Sequence, residues 1–160
     1  MTVLSKGKDA FSHAFEQFTD TVYRVAVHNC TSQTEAEDIT QEVFLKLLQT
    51  NKVFHDDEHM KAWLIRVTIN LCHNLYRDRR KETLVESIEL PEAKSYNSVL
   101  EAVQALPADQ RNCIYLHYYE GYSTAEIGHI LGAKQNTVLS WLRRGRETLR
   151  NTIGGFDDEL

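Results

Sequence analysis

The stretch GYSTAEIGHILGAKQNTVLSWLRRGRETLR, residues 121–150, narrows the fold more than any other part of the chain. It reads as a short helix, a tight turn and a second, basic helix. Ser123 or Thr124 can cap the first helix, and Glu126 stands three residues after Ser123, the spacing of a reciprocal capping box. Ala125, Ile127, Ile130 and Leu131 supply an apolar stripe, and Gly132 suits a left-handed turn position. The second helix is expected to start near Lys134 or Gln135. Val138, Leu142, Gly145 and Leu149 recur at helical spacing and are expected to pack inward. The opposite face carries Asn136, Ser140, Arg143, Arg144 and Glu147, with Arg146 and Arg150 on its flanks. Between positions 134 and 150 there are five basic residues and one acidic residue. Such a face suits a DNA major groove, where an arginine can donate two bonds to a guanine edge while neighbouring charges meet phosphates. The plain alternative is a helical hairpin with a solvated basic face.

The rest of the chain shows no sustained β-type alternation, and proline occurs only at positions 91 and 107. An all-α chain follows, with helices expected at about 8–29, 33–50, 59–80, 97–106, 108–120, 123–131 and 135–151. Pro91 and the glutamates at 82, 86, 89 and 92 interrupt the apolar periodicity. Residues 82–96 therefore read as a flexible linker between two small helical domains, 1–81 and 97–160. The second domain contains the helix-turn-helix.

Charge is the main objection to a free DNA-binding protein. The net charge is −5, whereas phosphate contacts call for a basic excess. The basic residues gather at 61–81 and 134–150, and the acids crowd 35–42, 82–92 and the DDEL end. A protein that touches DNA at two places while its acidic surfaces meet a positive partner needs such segregation.

In the first domain, Ile39, Val43, Leu47 and Leu48 are expected to pack against Phe11, Phe15, Phe18, Tyr23 and Val27. Glu35, Asp38 and Glu42 lie at i, i+3 and i+7, a carboxylate stripe with Gln41 beside it. By itself that stripe reads as a solvated face. On the following helix Trp63, Leu64, Val67 and Leu71 can form the buried side. Asn70, Asn74, Arg77 and Lys81 form an exposed polar row that ends in the cluster Arg77, Arg79, Arg80 and Lys81. Asparagine is a poor residue for a helix interior, and its amide reads base edges well, so two at i, i+4 suggest recognition.

Three motifs in order carry a family resemblance. Residues 35–48, EAEDITQEVFLKLL, are similar to the polymerase-binding helix of bacterial RNA polymerase sigma factors of the sigma-70 family, extracytoplasmic-function (ECF) class. Residues 63–80, WLIRVTINLCHNLYRDRR, resemble that class's promoter-opening helix. Leu106-Pro107, Gln110-Arg111 and the apolar run 114–119 resemble the start of its C-terminal, promoter-reading domain. The resemblance implies a sigma factor that binds core RNA polymerase, recognises promoter DNA at −35 and −10 elements and initiates transcription. It assigns Glu35, Asp38, Gln41 and Glu42 to the polymerase. It assigns Asn70, Asn74, Arg77, Arg80 and Lys81 to the −10 element, and Lys134, Gln135, Asn136, Ser140, Arg143, Arg144 and Arg146 to the −35 element.

The same resemblance implies that the loop before the opening helix, about 52–60, holds a flipped base, whose extrusion costs only a few kcal/mol. Phe54 is then a stacking partner, or alternatively a plug in the core; Trp63 reads as core. Many members of the class carry basic residues where this chain has Leu139 and Trp141. Leu139 could meet a thymine methyl, and Trp141 could extend the core. An anti-sigma factor is a common partner in the class. A stand-alone helix-turn-helix regulator is the alternative function, and a protein-binding helical adaptor is a third.

Nothing in the sequence reads as an active site. There is no glycine-rich phosphate loop or nucleophile elbow, and Cys72 and His73 are adjacent, so a helix cannot present both to one face. HDDEH, residues 55–59, holds metal-capable side chains but at no recognised metal spacing, and no cofactor or metal is expected. Residues 1–10 lack a signal-like apolar stretch, and no run approaches the length of a membrane span. Cys30, Cys72 and Cys113 are widely spaced, which suggests reduced thiols in a cytoplasmic protein.

Overall fold

The computed structural model describes residues 8–82 and 99–153, and every element among them is helical. The chain divides into two compact units, Met1–Val85 and Glu86–Leu160. The expected linker falls outside the described residues, apart from Glu82, which still belongs to a helix.

The described residues of unit 1 form a three-helix bundle of α1 (Lys8–Asn29), α2 (Gln33–Gln49) and α3 (Asp57–Glu82), each packed on the other two. Ser32 caps α2, its hydroxyl accepting from the Glu35 amide at 3.2 Å. Asp56 does the same for α3, with Oδ1 2.7 Å from the His59 amide. That cap explains why α3 begins two residues before the expected start at 59.

The core gathers Ala14, Phe18, Val22 and Ala26 of α1, Ala36, Ile39, Val43 and Phe44 of α2, Phe54, and Met60, Leu64 and Cys72 of α3. Two expected core residues lie outside it. Phe15 is 47% exposed and Leu48 57% exposed. The inward row on α2 continues through Leu47, and Leu48 stands a helical step of about 100° beyond it. Phe44 takes the central place, with the rings of Phe11 and Phe15 edge-on to it at 6.1 and 5.1 Å. On α3 the deepest residues are Met60, Leu64, Ile65, Thr68, Ile69 and Cys72, while Trp63, Val67 and Leu71 are half-buried at the edge. The buried hydroxyls of Thr40 and Thr68 are satisfied within their own helices, each 2.7 Å from the carbonyl four residues back.

Unit 2 comprises α4 (Val99–Gln104), α5 (Ala108–Ile114), a π turn (Tyr115–Tyr119), α6 (Thr124–Leu131) and α7 (Gln135–Ile153). The helix expected over 108–120 thus changes pitch at Tyr115. Side chains hold the wide turn: Tyr115 and Tyr119 stack at 5.2 Å, and the Tyr115 hydroxyl donates to Glu120 at 2.7 Å. His117 Nδ1 lies 2.8 Å from the Tyr122 carbonyl, so that nitrogen carries the proton. Arg111 reaches back to the end of α4 and donates from Nη1 to the carbonyls of Gln104 (3.1 Å) and Leu106 (3.2 Å). Ala102, Leu106, Cys113, Ile114, Leu116, Tyr122, Ile127, Ile130, Val138, Leu142 and Leu149 form the interior.

Candidate nucleic-acid interface

The hairpin of α6 and α7 is fixed by local chemistry. Ser123 and Glu126 close the expected capping box, with the Ser123 hydroxyl 3.1 Å from the Glu126 amide and the Glu126 carboxylate 3.1 Å from the Ser123 amide. Those bonds hold the Glu126 carboxyl below its ordinary value, the backbone bond from Ser123 contributing most. Gly132 ends α6 in the left-handed region at φ 68°, as a helix-ending glycine should. Gly128 has a separate role. A Cβ there would stand 2.7 Å from the Ala133 carbonyl oxygen, so only glycine lets the turn fold back this closely. The Ala133 amide meanwhile bonds the Gly128 carbonyl at 2.9 Å.

On α7 the inward row is the expected one: Val138, Leu142, Gly145 and Leu149 are buried. A Cβ on Gly145 would lie 3.1 Å from Ile114 Cγ1, which marks how closely α7 packs on α5. Outward, Asn136, Arg143, Arg144, Glu147 and Arg150 are exposed, and Ser140 and Trp141 are half-buried. Leu139 stands 46% exposed within this polar face. Two of the assigned residues hold the hairpin as well as facing outward. Gln135 donates from Nε2 to the Thr124 hydroxyl at 2.8 Å, tying the start of α7 to the start of α6. Arg146 donates from Nη1 to the Tyr118 hydroxyl at 3.0 Å, so the π turn steadies a guanidinium on the basic helix. Sequence reasoning missed both tethers, and it missed Tyr118, which no periodicity marks.

The second basic region lies on α3. Asn70, Asn74 and Arg77 are exposed along one row, at the expected i, i+4 and i+7. Exposed Arg66 extends the row a turn toward the N-terminus, and exposed His73 flanks it. Neither residue was assigned to DNA from the sequence, although Arg66 has the spacing that would have found it. The side chains of Arg80 and Lys81 lie outside the described residues.

Phe54, offered as a base-stacking residue, is only 4% exposed. Its ring sits 5.4 Å from Trp63 and 5.5 Å from His59, both edge-on. It therefore fills the core, the other role considered for it, because burying an aromatic ring against Trp63 outweighs leaving it in water.

The α2 stripe also differs from expectation. Asp38, Gln41 and Glu42 are exposed, but Glu35 turns inward and forms an ion pair with Arg79 near the end of α3. The carboxylate also accepts from the Thr31 hydroxyl (3.0 Å) and amide (3.2 Å). The Arg79 hydrogen bond, more than the two from Thr31, holds the Glu35 carboxyl below its ordinary value, against an opposing push from burial. The Arg79 guanidinium lies over the Tyr76 ring at 5.9 Å. Glu35 and Arg79 are thus committed to joining α2 to α3. In their place the exposed row of α2 continues into Leu45 and Leu48, 55% and 57% exposed, giving a face half acidic and half apolar.

HDDEH has structural work in this fold. Asp56 caps α3, Asp57 lies 3.1 Å from His13 Nε2, and the rings of His55 and His59 stack at 5.2 Å. Among the described residues no group of three or more His, Cys, Asp or Glu side chains converges as a metal site would require. No described helix is long and apolar enough to cross a membrane.

Residues 14–82 match the family model described as Sigma-70 region 2, and residues 96–149 match that described as Sigma-70, region 4. The chain is 32% identical over 158 residues to the ECF RNA polymerase sigma factor SigE of Mycolicibacterium smegmatis, covering 89% of this chain and 61% of that protein. It is 28% identical to BldN of Streptomyces coelicolor, with 91% and 61% covered, and 27% identical to SigW of Bacillus subtilis, with 91% and 90% covered. It therefore spans about three fifths of the first two relatives and nearly all of the third.

Among solved structures, the sigma factor RpoE, in complex with the anti-sigma factor NepR from Bartonella quintana, superposes with a TM-score of 0.75 at 24% identity, covering 94% of this chain and 100% of that one. CnrH, in complex with the cytosolic domain of CnrY, gives 0.68 at 20% identity, covering 94% and 92%. These two likenesses establish the fold. With region 2 matched on the three-helix bundle and region 4 on the helix-turn-helix unit, in that order, the chain belongs to the sigma-70 family of bacterial RNA polymerase sigma factors, in its extracytoplasmic-function class.

Proposed function

We propose that the chain is a transcription initiation factor that binds core RNA polymerase, recognises a two-part promoter and opens it, acting in the cytoplasm. The observation that carries this reading is the pairing of two outward polar faces, one in each unit, with an acidic and apolar face on α2. In this assignment residues 1–81 bind polymerase and the −10 element, 82–96 link, and 97–160 read the −35 element. Asp38, Gln41 and Glu42 contact positive groups on the polymerase, while Leu45 and Leu48 supply the apolar area that such an interface needs at its centre. Glu35 contributes indirectly, by fixing α2 against α3.

The amides of Asn70 and Asn74 read −10 bases, and Arg66 and Arg77 meet phosphates on either side. On α7, Arg143 and Arg144 meet the −35 element at its base edges, and Leu139 offers an apolar contact to a thymine methyl. The bond-making chemistry belongs to the polymerase, and the chain contributes binding and positioning. An anti-sigma protein is the expected regulatory partner, because RpoE, with the same fold, is found with the anti-sigma factor NepR.

Run-off transcription with purified core polymerase tests the reading. The chain should direct initiation from a defined promoter and bind that duplex weakly alone, as its net charge of −5 implies. Asp38→Lys with Glu42→Lys should abolish co-purification with polymerase without unfolding unit 1, since both side chains are exposed. Tight, sequence-specific binding by the isolated chain at physiological salt would instead identify a stand-alone regulator.

A further inference from the structure

We propose that Cys30 and Cys72 are a modification site, forming a reversible intrachain disulfide in the presence of hydrogen peroxide. The two Sγ atoms lie 3.7 Å apart, although the residues are 42 positions apart in sequence. A disulfide needs about 2.05 Å, so the sulfurs must close by ~1.7 Å, within the range of side-chain rotation and a slight shift of the α1–α2 turn. That turn is short, only residues 30–32 separating α1 from α2. The Cys72 thiol is only 1% exposed, and Cys30 is half-buried, so a peroxide meets Cys30 first.

The chemistry balances with the peroxide as sole oxidant. Cys30 Sγ attacks one peroxide oxygen, the O–O bond breaks, and water leaves to give a sulfenic acid. Cys72 Sγ then attacks the Cys30 sulfur, the S–O bond breaks, and a second water leaves with the remaining thiol proton. Two thiols lose one electron pair, and the peroxide is reduced to two waters. Cys72 waits behind Cys30 as the resolving thiol, which spares Cys30 from over-oxidation.

Cys113 is the internal contrast. It is fully buried in unit 2, with burial pushing its thiol up to about 12, so the nucleophilic thiolate is scarce. It should stay reduced under the same treatment.

The location gives the modification a structural consequence. Cys30 directly precedes Thr31, and Cys72 stands one helical turn before Tyr76. The disulfide therefore staples the same corner that Thr31, Glu35, Tyr76 and Arg79 hold without covalent bonds. Once stapled, that corner should depend less on the Glu35–Arg79 ion pair.

Hydrogen peroxide added to the full chain, followed by alkylation and non-reducing peptide mapping, tests the site. The expected result is a Cys30–Cys72 linked peptide with Cys113 alkylated only after unfolding. The melting temperature of unit 1 should rise by at least about 5 °C and return to its starting value with dithiothreitol. Cys30→Ser should abolish both the link and the rise. Glu35→Gln should lower the melting temperature of the reduced chain more than that of the oxidised chain, a difference that incidental oxidation elsewhere would not produce. Intermolecular disulfides, a sulfinic acid on Cys30 with no link, or a linked chain with unchanged melting would each overturn the proposal.

Discussion

The two units hold their polar faces by opposite means. In unit 2 the α6–α7 hairpin is specified within a few residues: a capping box at Ser123 and Glu126, a left-handed Gly132, and a glycine at 128 that allows the turn to close. In unit 1 the exposed row on α3 depends on the burial of Leu64, Ile65 and Ile69 against two other helices and on an ion pair from Glu35 to Arg79. The first arrangement is made of short-range rules, and each rule has one residue that can break it. The second is collective, so only the deepest side chains matter singly. Local specification leaves a mark in the sequence that collective packing does not.

Substitution at the deepest core position should separate the units most strongly. Leu64 has no exposed surface, and Leu64→Ala should destabilise unit 1 by about 2–5 kcal/mol through lost burial and a residual cavity. Unit 2 should retain its own melting transition, followed by hydrogen exchange in α6 and α7; a common loss of both transitions would mean that the units are not independent. Gly128→Ala comes next. Its Cβ would meet a backbone oxygen that cannot move aside, so we expect a loss of about 1–3 kcal/mol confined to unit 2 and a fall in DNA binding through the hairpin. Melting that matches the unsubstituted chain would show that the turn relaxes, and would weaken the case for strict local specification.

Much of unit 2 was legible in the sequence for this reason. The capping box, Gly132 and the inward row Val138, Leu142, Gly145 and Leu149 all depend on spacing alone, and each stands where spacing put it. What spacing could not show was the approach of one backbone segment to another, so Gly128 passed unnoticed, as did the π turn that aims Tyr118 at Arg146. In unit 1 the helices were legible and the partners were not. Phe15 and Leu48 satisfy the apolar pattern yet sit outside, because the pattern does not say which neighbour arrives at which turn. Glu35 looked like one more member of a charged stripe until α3 brought Arg79 to it. Phe54 had two possible roles in the sequence, and its contact with Trp63 decides between them.

The ion pair offers a finer probe of collective packing. The Glu35 carboxyl is held below its ordinary value of 4.5 in the folded chain, so its contribution is fully present above that value and disappears as the pH falls through the lowered one. Glu35→Gln should therefore lower the melting temperature of unit 1 by about 2–4 °C at neutral pH, a small effect because Arg79 is well solvated. The gap from the unsubstituted chain should narrow in acid below pH 4.5. A gap independent of pH would assign the effect to packing instead of charge.

The smallest expected effect belongs to the tether on the basic helix. Tyr118→Phe removes the acceptor 3.0 Å from Arg146 and leaves the ring in place. Upstream promoter affinity, measured by fluorescence anisotropy with the polymerase-bound factor, should fall by about twofold, the scale of one partly exposed hydrogen bond. Arg146→Ala should cost more; equal losses would mean that Arg146 acts only through Tyr118.

The reach of Arg111 to the end of α4 has a further consequence. Six residues are too few for a helix to persist alone, so α4 exists only while it is docked on α5 and α7 and the carbonyls of Gln104, its last residue, and of Leu106 just beyond are met by that guanidinium. Its amides should therefore open to solvent exchange well before those of α7, in a small fluctuation that leaves the hairpin closed. Among the described residues of unit 2, the first helix is then loose and the last one firm. Strain placed on unit 2 would be absorbed by α4 before it disturbed the basic helix.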